Sequence, residues 1–481
     1  MSNARNKYDV DVAIIGAGSA GMTAYREAKK YTDKIALIDG GALGTTCATV
    51  GCMPSKLLIA AAEAAHVSQE ANIFGVKNAA TEIDGRAVMQ RVKSERDRFV
   101  GFVLEAVDGF DEKHLIREFA TFKDDHTLEL SSGRLLTAKT FVLAVGSRPN
   151  IPKMFEAAGD KLIINDDVFD WDDLPESVAV FGAGVIGLEL GQALSRLGVR
   201  IRLFGRDHSI GPLSDPAIKD YAAETFASLY PAHWHADTQI SRNGDNVVVA
   251  WNDDDGSGSE EFDYLLAATG RRSNLDKIGL ENTSFGTKAS FMNDYDALST
   301  RMGDSHIFVA GDATSDLPLL HEAIDEGRLA GENAARYPLS YKRSRRTPLG
   351  VAFSDPQIGL AGQSYQQLKA GGVAFKTGEV SFEGQGRSRV MNVNKGLLHV
   401  YGEENTGRLL GAELIGPAAE HLTHLIAWSI QSGQTVSDVL LNPFYHPVIE
   451  EGLRSALRDL NSQLGFGPNP PLHCIDCGPG A

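Results

Sequence analysis

The sequence predicts an α/β fold of two wound βαβ units followed by a smaller α+β unit, and three observations predict it. A glycine-rich turn, Gly16-Ala17-Gly18-Ser19-Ala20-Gly21, stands between a valine-rich stretch and a helical pattern. The same arrangement recurs 166 residues later at Gly182-Ala183-Gly184-Val185-Ile186-Gly187. From about Thr347 onward strands and helices still alternate, but no third glycine fingerprint appears. A length of 481 residues suits two to four domains, and 50 glycines with 43% hydrophobic residues suit a soluble chain with many tight turns.

Val10-Asp11-Val12-Ala13-Ile14-Ile15 reads as a strand buried on both faces, the pattern of parallel sheets. After the turn a helical pattern runs to Lys30. Ile35-Ala36-Leu37-Ile38 is the next strand, and Asp39 ends it with an acid. Strand, GxGxxG, helix, strand and acid together form a dinucleotide-binding fingerprint. In the second unit, Ser177-Val178-Ala179-Val180-Phe181 leads into the glycines. A helix then runs through Leu197, and Ile201-Arg202-Leu203-Phe204 is the following strand. One such turn is a weak signal; two in full context are a strong one.

Residues 140–149, around Gly146, and 264–271, around Gly270, are further strand-to-turn segments of the same plan. His306-Ile307-Phe308-Val309-Ala310-Gly311-Asp312 is a strand ending in Gly-Asp, ahead of an amphipathic helix near 321–333. Residues 252–261 form an acidic hairpin. The basic, proline-containing segment 337–348 is a boundary, and 465–481 is a Gly- and Pro-rich tail carrying Cys474 and Cys477 as CxxC.

Chemistry concentrates in Gly44-Thr45-Thr46-Cys47-Ala48-Thr49-Val50-Gly51-Cys52-Met53-Pro54-Ser55-Lys56. Two of only four cysteines lie here, close enough to close a disulfide if Gly51 turns the chain back. Pro54 suits the first turn of a helix, which puts Cys52 near a helix N-terminus where thiolate is favoured. Lys56 lies one turn on, on the same side. A close cysteine pair in a reducing compartment is more often catalytic or metal-binding than structural.

Composition excludes other classes. A formal charge of −17 argues against nucleic acid and anionic membrane as main partners. No run approaches the roughly 18 apolar residues of a membrane span. The first residues lack a secretory apolar region, so the expected location is the cytoplasm.

In this order the landmarks resemble the class I pyridine nucleotide–disulfide oxidoreductases, flavoenzymes that include dihydrolipoamide dehydrogenase, glutathione reductase, mercuric reductase and the large thioredoxin reductases. The likeness spans roughly residues 8 to 465. Its most specific parts are the CxxxxC-x-PSK block and His446-Pro447 followed by Glu451. It implies two Rossmann-like domains and a C-terminal α+β dimerisation domain. The FAD domain would take residues 1–155 and 276–346, the NAD(P) domain 156–275, the dimerisation domain 347–465 and the tail 466–481.

Carried over residue by residue, Gly16, Gly18 and Gly21 would let the FAD pyrophosphate approach a helix N-terminus. Asp39 would take the adenosine ribose, where relatives usually have Glu. Thr46, Lys56, Ala120, Gly146 and Leu320 would contact FAD. Asp312 would bind the ribityl chain; the alternative is a helix N-cap for the segment from Ser315. Gly182, Gly184, Gly187, Arg206 and Gly270 would line the NAD(P) site. Thr45 stands where relatives often carry glycine.

The implied catalytic set is Cys47, Cys52, Lys56, Glu189, His446 and Glu451. Cys52 would touch the flavin and Cys47 would attack the substrate disulfide. Glu189 would pair with Lys56; otherwise it is a polar residue of its helix. His446 would be the acid–base group, oriented by Glu451, and in relatives this histidine reaches the other subunit's dithiol, so a homodimer is implied. No resident metal is expected in this set.

The acid that NADH-using relatives place after the second strand of the NAD domain is absent at Gly205. Arg206 stands where NADPH-using relatives place an arginine for the 2′-phosphate, with Asp207 beside it weakening the contrast. Among family members the layout is nearest dihydrolipoamide dehydrogenase, with lipoamide, or a lipoyl-bearing or thioredoxin-like protein, as the disulfide partner. The competing reading is an NADPH-dependent disulfide reductase of glutathione, thioredoxin-like or mercuric type. It would pass electrons through Cys474 and Cys477, although relatives with such tails usually have adjacent cysteines. A metal site with His473 and an inert pair are the other readings of the tail. Rivals from other classes are an oxidase or quinone reductase of this fold, a scaffold that keeps only FAD, and a structural zinc protein. None of them needs the Cys47/Cys52 pair together with His446 and Glu451.

Overall fold

The computed structural model describes residues 7–206, 209–254, 256–286 and 291–465. Its first sheet sets five parallel strands in the order Leu115–Ile116, Ile35–Ile38, Val10–Ile15, Leu135–Leu143 and Ile307–Val309. Arg301–Met302 and Tyr295–Asp296 extend one edge in antiparallel sense. Val12, Ala13 and Ile14 have no exposed surface, as a central parallel strand with both faces covered requires. The Ser19–Ala28 helix lies against the Leu320–Arg336 helix. Two glycines let their backbones meet: a Cβ at Gly327 would sit 2.3 Å from Ala20 O, and one at Gly331 2.3 Å from Ala24 O.

The second sheet is also parallel, ordered Ala232–His233, Arg200–Phe204, Ser177–Phe181, Tyr264–Ala267 and Leu162–Ile163. An antiparallel meander, Asp237–Asn243, Asn246–Asp253 and Gly256–Phe262, covers it through Val247, Val249 and Phe262 packed on Phe181 and Phe204. The chain crosses between the two sheets twice. The crossing strands Ser147–Pro149 and Arg271–Ser273 pair in antiparallel sense, so both passages run side by side.

The third sheet is antiparallel: Leu349–Ala352, Gln357–Gly362, Leu409–Gly416, Leu397–Glu403 and Phe375–Ser381. The Ala419–Gln431 and Glu451–Leu464 helices bury their apolar stripes on it, with Leu422, Ile426, Leu453 and Leu457 in one core. The architecture is thus two α/β nucleotide-binding units and an α+β unit. Among the described residues no helix is long and apolar enough to cross a membrane.

Two local readings change. The helix after the Gly-Asp strand end starts at Leu320 with Leu319 as its N-cap, not at Ser315. Ser315 has a left-handed φ of +62°, and Pro318 has no N–H to continue a helical ladder. Asp312 therefore sits in a separate 3₁₀ turn, Gly311–Ala313, and caps no helix. Gly51 is the second case. Its φ is −122°, so it supplies no left-handed turn. Glycine is needed there because a Cβ would meet Thr46 O at 2.9 Å and Cys47 Cα at 3.2 Å.

Candidate active site

The loop carrying the cysteines is held from both ends. Thr45 takes φ +64°, where glycine is favoured, and its own bonds offset that cost. Its hydroxyl accepts Ala48 N–H at 3.3 Å and its carbonyl accepts the Thr49 hydroxyl at 2.6 Å. The resulting short helix, Thr46–Thr49, presents Cys47. The next helix, Cys52–Glu70, starts on Cys52 itself. From the second unit, Asn165 Nδ2 donates to Val50 O at 2.8 Å and anchors the loop between the cysteines.

Both sulfurs are free thiols, and Cys52 is exposed. They hydrogen-bond to one another with unequal consequences. Cys52 is pushed down to about 7, chiefly by the bond from Cys47; Lys56 and the helix-start backbone add to this and burial opposes it. The same bond, with burial, pushes Cys47 well up. The first thiolate therefore forms on Cys52, and Cys47 needs an external base.

Lys56 Nζ donates to both oxygens of Glu189, at 2.9 and 2.7 Å. Glu189 is 4% exposed and comes from the Val185–Arg196 helix of the second unit. Its Oε1 also accepts Phe353 N–H at 2.9 Å from the third unit. The Lys56 ammonium lies 4.6 Å from the Phe353 ring centre, a cation–π contact. One carboxylate thus joins all three units beneath the dithiol.

His446 is brought to Glu451 by the turn before the Glu451–Leu464 helix. Nδ1 lies 3.1 Å from each carboxylate oxygen. Glu451 is 3% exposed and also accepts Arg454 Nη2 at 3.0 Å and Val448 N–H at 3.2 Å. The imidazole itself is exposed, its side chain 65% accessible. A buried, fully donated carboxylate fixes the Nδ1–H tautomer and turns Nε2 outward.

The two glycine turns are built alike. A Cβ at Gly16 or Gly182 would lie 2.2 or 2.3 Å from a carbonyl oxygen, and both residues take φ beyond +100°. A Cβ at Gly21 or Gly187 would lie 1.8 or 1.9 Å from the first glycine's carbonyl. Gly18 and Gly184, by contrast, face open space at the start of their helices. That is the cradle a pyrophosphate needs. Asp39 closes the first: Oδ2 accepts Ala17 N–H at 2.7 Å and Oδ1 accepts Gly41 N–H at 2.8 Å. Asp312 Oδ2 accepts the Ser147 hydroxyl at 2.9 Å, and Arg271 holds Ser147 in turn. Gly146 and Gly270 both take positive φ with open space beside them, at the equivalent turn of each unit. Ala120 is buried at the start of the Ala120–Asp124 strand, and Leu320 opens its helix half-exposed. At Gly205 a Cβ would lie 2.7 Å from the Trp234 ring, so a side chain there would have to displace that ring. Arg206 follows at the exposed end of that strand. Asp207, Cys474 and Cys477 lie outside the described residues.

Asn165 and Phe353 were not found by sequence reasoning, because each acts across units from a segment without a motif; Ser147 and Arg271 lay in the singled-out turns at 140–149 and 264–271, but their side-chain contacts to Asp312 and to one another are not written there. Arg454 was findable, standing one helical turn after Glu451.

The pyridine nucleotide-disulphide oxidoreductase family matches residues 10–327, and the dimerisation domain of that family matches 349–457. The chain belongs to this family. It is 30% identical to dihydrolipoyl dehydrogenase of Thermus scotoductus, over 94% of this chain and 98% of that protein. It is 27% identical to dihydrolipoyl dehydrogenase of Geobacillus stearothermophilus, covering 97% and 98%. Against mercuric reductase of Staphylococcus aureus it is 26% identical, covering 93% and 82%. In structure it resembles the HOCl-induced flavoprotein disulfide reductase RclA from Escherichia coli, with a TM-score of 0.77, 21% identity and coverage of 94% and 99%. At that identity the likeness speaks for the fold alone. The chain is a flavoprotein oxidoreductase whose cofactors are FAD and NAD(P)H.

Proposed function

We propose that the chain is a homodimeric disulfide oxidoreductase of the dihydrolipoyl dehydrogenase type, with residues 1–155 and 276–346 holding FAD, 156–275 holding NAD(P)H and 347–465 forming the dimer. The observation that carries this is the dithiol at a helix start, with Lys56 clamped beside it by a buried Glu189.

Gly16, Gly18, Gly21, Asp39, Thr46, Ala120, Gly146, Asp312 and Leu320 hold FAD, and Gly182, Gly184, Gly187, Arg206 and Gly270 hold the nicotinamide nucleotide. Held by these residues, FAD would supply hydride transfer from the nicotinamide and two-electron reduction of sulfur. The chain's own groups then handle the disulfide. His446 Nε2 takes the Cys47 proton, and Glu451 stabilises the imidazolium. Cys47 attacks one sulfur of the substrate disulfide; that bond breaks, a mixed disulfide forms, and the departing thiolate takes the proton back from His446. The Cys52 thiolate attacks Cys47 Sγ and releases the second substrate sulfur as thiolate, which picks up a proton from solvent. The Cys47–Cys52 disulfide that results would be re-reduced by the electron pair NAD(P)H supplies, returning the thiol pair. Lys56 keeps positive charge beside the Cys52 thiolate throughout, and Glu189 keeps Lys56 in place.

Lipoamide is the first-choice substrate, and NADPH is favoured over NADH, supported by Arg206 and by the ring of Trp234 against Gly205. Turnover of the flavin-loaded protein with NADH and NADPH against lipoamide, glutathione disulfide, thioredoxin and Hg(II) tests both points. Lipoamide slower than every other acceptor overturns the dihydrolipoyl dehydrogenase reading, and NADH faster than NADPH overturns the coenzyme assignment. The second reading, an NADPH-dependent reductase of a protein disulfide through Cys474 and Cys477, rests on the same Arg206 argument. It predicts that Cys474→Ser with Cys477→Ser abolishes turnover of a protein disulfide and spares a small one.

A further inference from the structure

Val50 sits at the joint between the two helices that carry the sulfurs. The Thr46–Thr49 helix ends just before it, and the Cys52–Glu70 helix begins two residues after it. Its carbonyl cannot join the second helix in the ordinary way, because the N–H four positions on would be that of Pro54, which has none. A carbonyl in that position needs an outside donor. Asn165 supplies it from the second unit, with Nδ2 2.8 Å from Val50 O. Asn165 is 6% exposed and opens the short Asn165–Val168 helix, so its amide has little room to turn elsewhere. Nδ2 also donates to Asp166 Oδ1 at 2.8 Å, so both of its hydrogens are used. Burial pushes the Asp166 carboxyl up, and the charge of Arg271 opposes that. Arg271 holds Ser147, which donates to Asp312, and Arg271 and Ser147 stand on the paired strands that cross between the units. One set of contacts thus runs from the redox loop through the second unit to the crossing strands.

The joint matters because the sulfurs meet across it. The turn there is tight: a Cβ at Gly51 would lie 3.2 Å from Cys47 Cα. Movement at Val50 is therefore movement of Cys47 relative to Cys52. The titratable groups facing Cys52 are Cys47 on the preceding short helix, Lys56 on its own helix and Glu189 from the Val185–Arg196 helix. The Lys56–Glu189 pair has its own anchors and does not involve Asn165. The bond between Cys47 and Cys52 is the one that spans the joint.

We infer that Asn165 is a positioning residue of the redox pair: from the second unit it holds the Val50 carbonyl and so keeps the Cys47 thiol hydrogen-bonded to Cys52. The inference rests on the proposed dithiol chemistry. It is tested on the reduced, flavin-loaded full chain by the pH midpoint of Cys52 alkylation with iodoacetamide, read by peptide mass spectrometry. Asn165→Leu keeps the volume and removes the donor, and Asn165→Ala is a second variant should the first not fold. Flavin content and melting temperature check both. Each should raise the midpoint by about one unit or more, which lowers the alkylation rate at pH 7 about fivefold. In a Cys47→Ala background the donor thiol is already gone, so the midpoint is expected to be high and Asn165→Leu to leave it where it is. That coupling separates positioning of Cys47 from a general loosening of the fold, which shifts the midpoint in both backgrounds. Equal shifts with and without Cys47, or no shift in folded variants of a protein whose own midpoint is about 7, overturn the inference alone. An ordinary cysteine midpoint in the unaltered protein removes the activated pair and the inference with it.

Discussion

Cys52 and Cys47 are chemically distinct although one loop carries both. A thiol pushed down to about 7 is protonated below that pH and thiolate above it. Alkylation of reduced Cys52 should therefore rise about tenfold between pH 6 and pH 8, as peptide mass spectrometry would read it. A flat profile would remove the case for an activated Cys52. Cys47 is held up by the same hydrogen bond, so in the proposed reaction its attack depends on His446. His446→Gln should cut disulfide turnover by about 10²- to 10⁴-fold, the usual worth of a general acid–base group. Flavin reduction by NAD(P)H should be untouched, because His446 takes no part in it. Equal losses in both half-reactions would contradict the role. Glu189 tells the same story from beneath. Removing it leaves Lys56 without its partner and Phe353 N–H without its acceptor. Lys56 is itself 32% exposed, so the cost is that of unmade hydrogen bonds, about 1–3 kcal/mol, and Glu189→Ala should lower the melting temperature by a few degrees as well as slow turnover.

The helices that start at the glycine turns are matched elements with separable jobs. In each, the third glycine sits so close to the first glycine's carbonyl that a methyl group cannot enter without moving backbone. Gly21→Ala should yield protein that purifies with little or no flavin. Gly187→Ala should keep the flavin, remain reducible by dithionite and lose reduction by NAD(P)H. Absorbance spectra and stopped-flow mixing distinguish these outcomes, and identical behaviour of the two variants would refute the division of labour. At the end of the Arg200–Phe204 strand, Gly205 and Trp234 occupy the space a 2′-hydroxyl-binding acid would need. Gly205→Glu with Trp234→Ala should therefore shift preference toward NADH, measured as the ratio of kcat/KM values for the two coenzymes.

Across the whole molecule, an exposed imidazole held by a buried carboxylate is half of a site. The matching dimerisation domain fits the proposed function, in which the other half comes from a second copy. Two inactive homodimers, Cys47→Ser and His446→Gln, should regain activity when unfolded and refolded together. Random pairing makes half the dimers mixed, each with one intact site of two, so about a quarter of wild-type activity is expected. No recovery in verified mixed dimers would show that the histidine serves its own chain.

Both nucleotide units, the redox loop, and the His446–Glu451 pair were legible from one dimension because their chemistry is encoded at short spacing. Four residues lie between His446 and Glu451, four between the cysteines, and each GxGxxG turn sits between a strand and a helix. Local backbone geometry is enough to turn such spacings into sites. Three-dimensional packing decided what those spacings leave open. It selected Asp312 for Ser147 rather than for a helix cap, required Gly51 for a close approach, and set against position 205 an aromatic ring from just past the neighbouring Ala232–His233 strand. It also made Glu189 the meeting point of Lys56 and Phe353, residues 297 positions apart (353 − 56). Contacts of that range depend on which surfaces the sheets present to one another, and no local pattern in the chain records that.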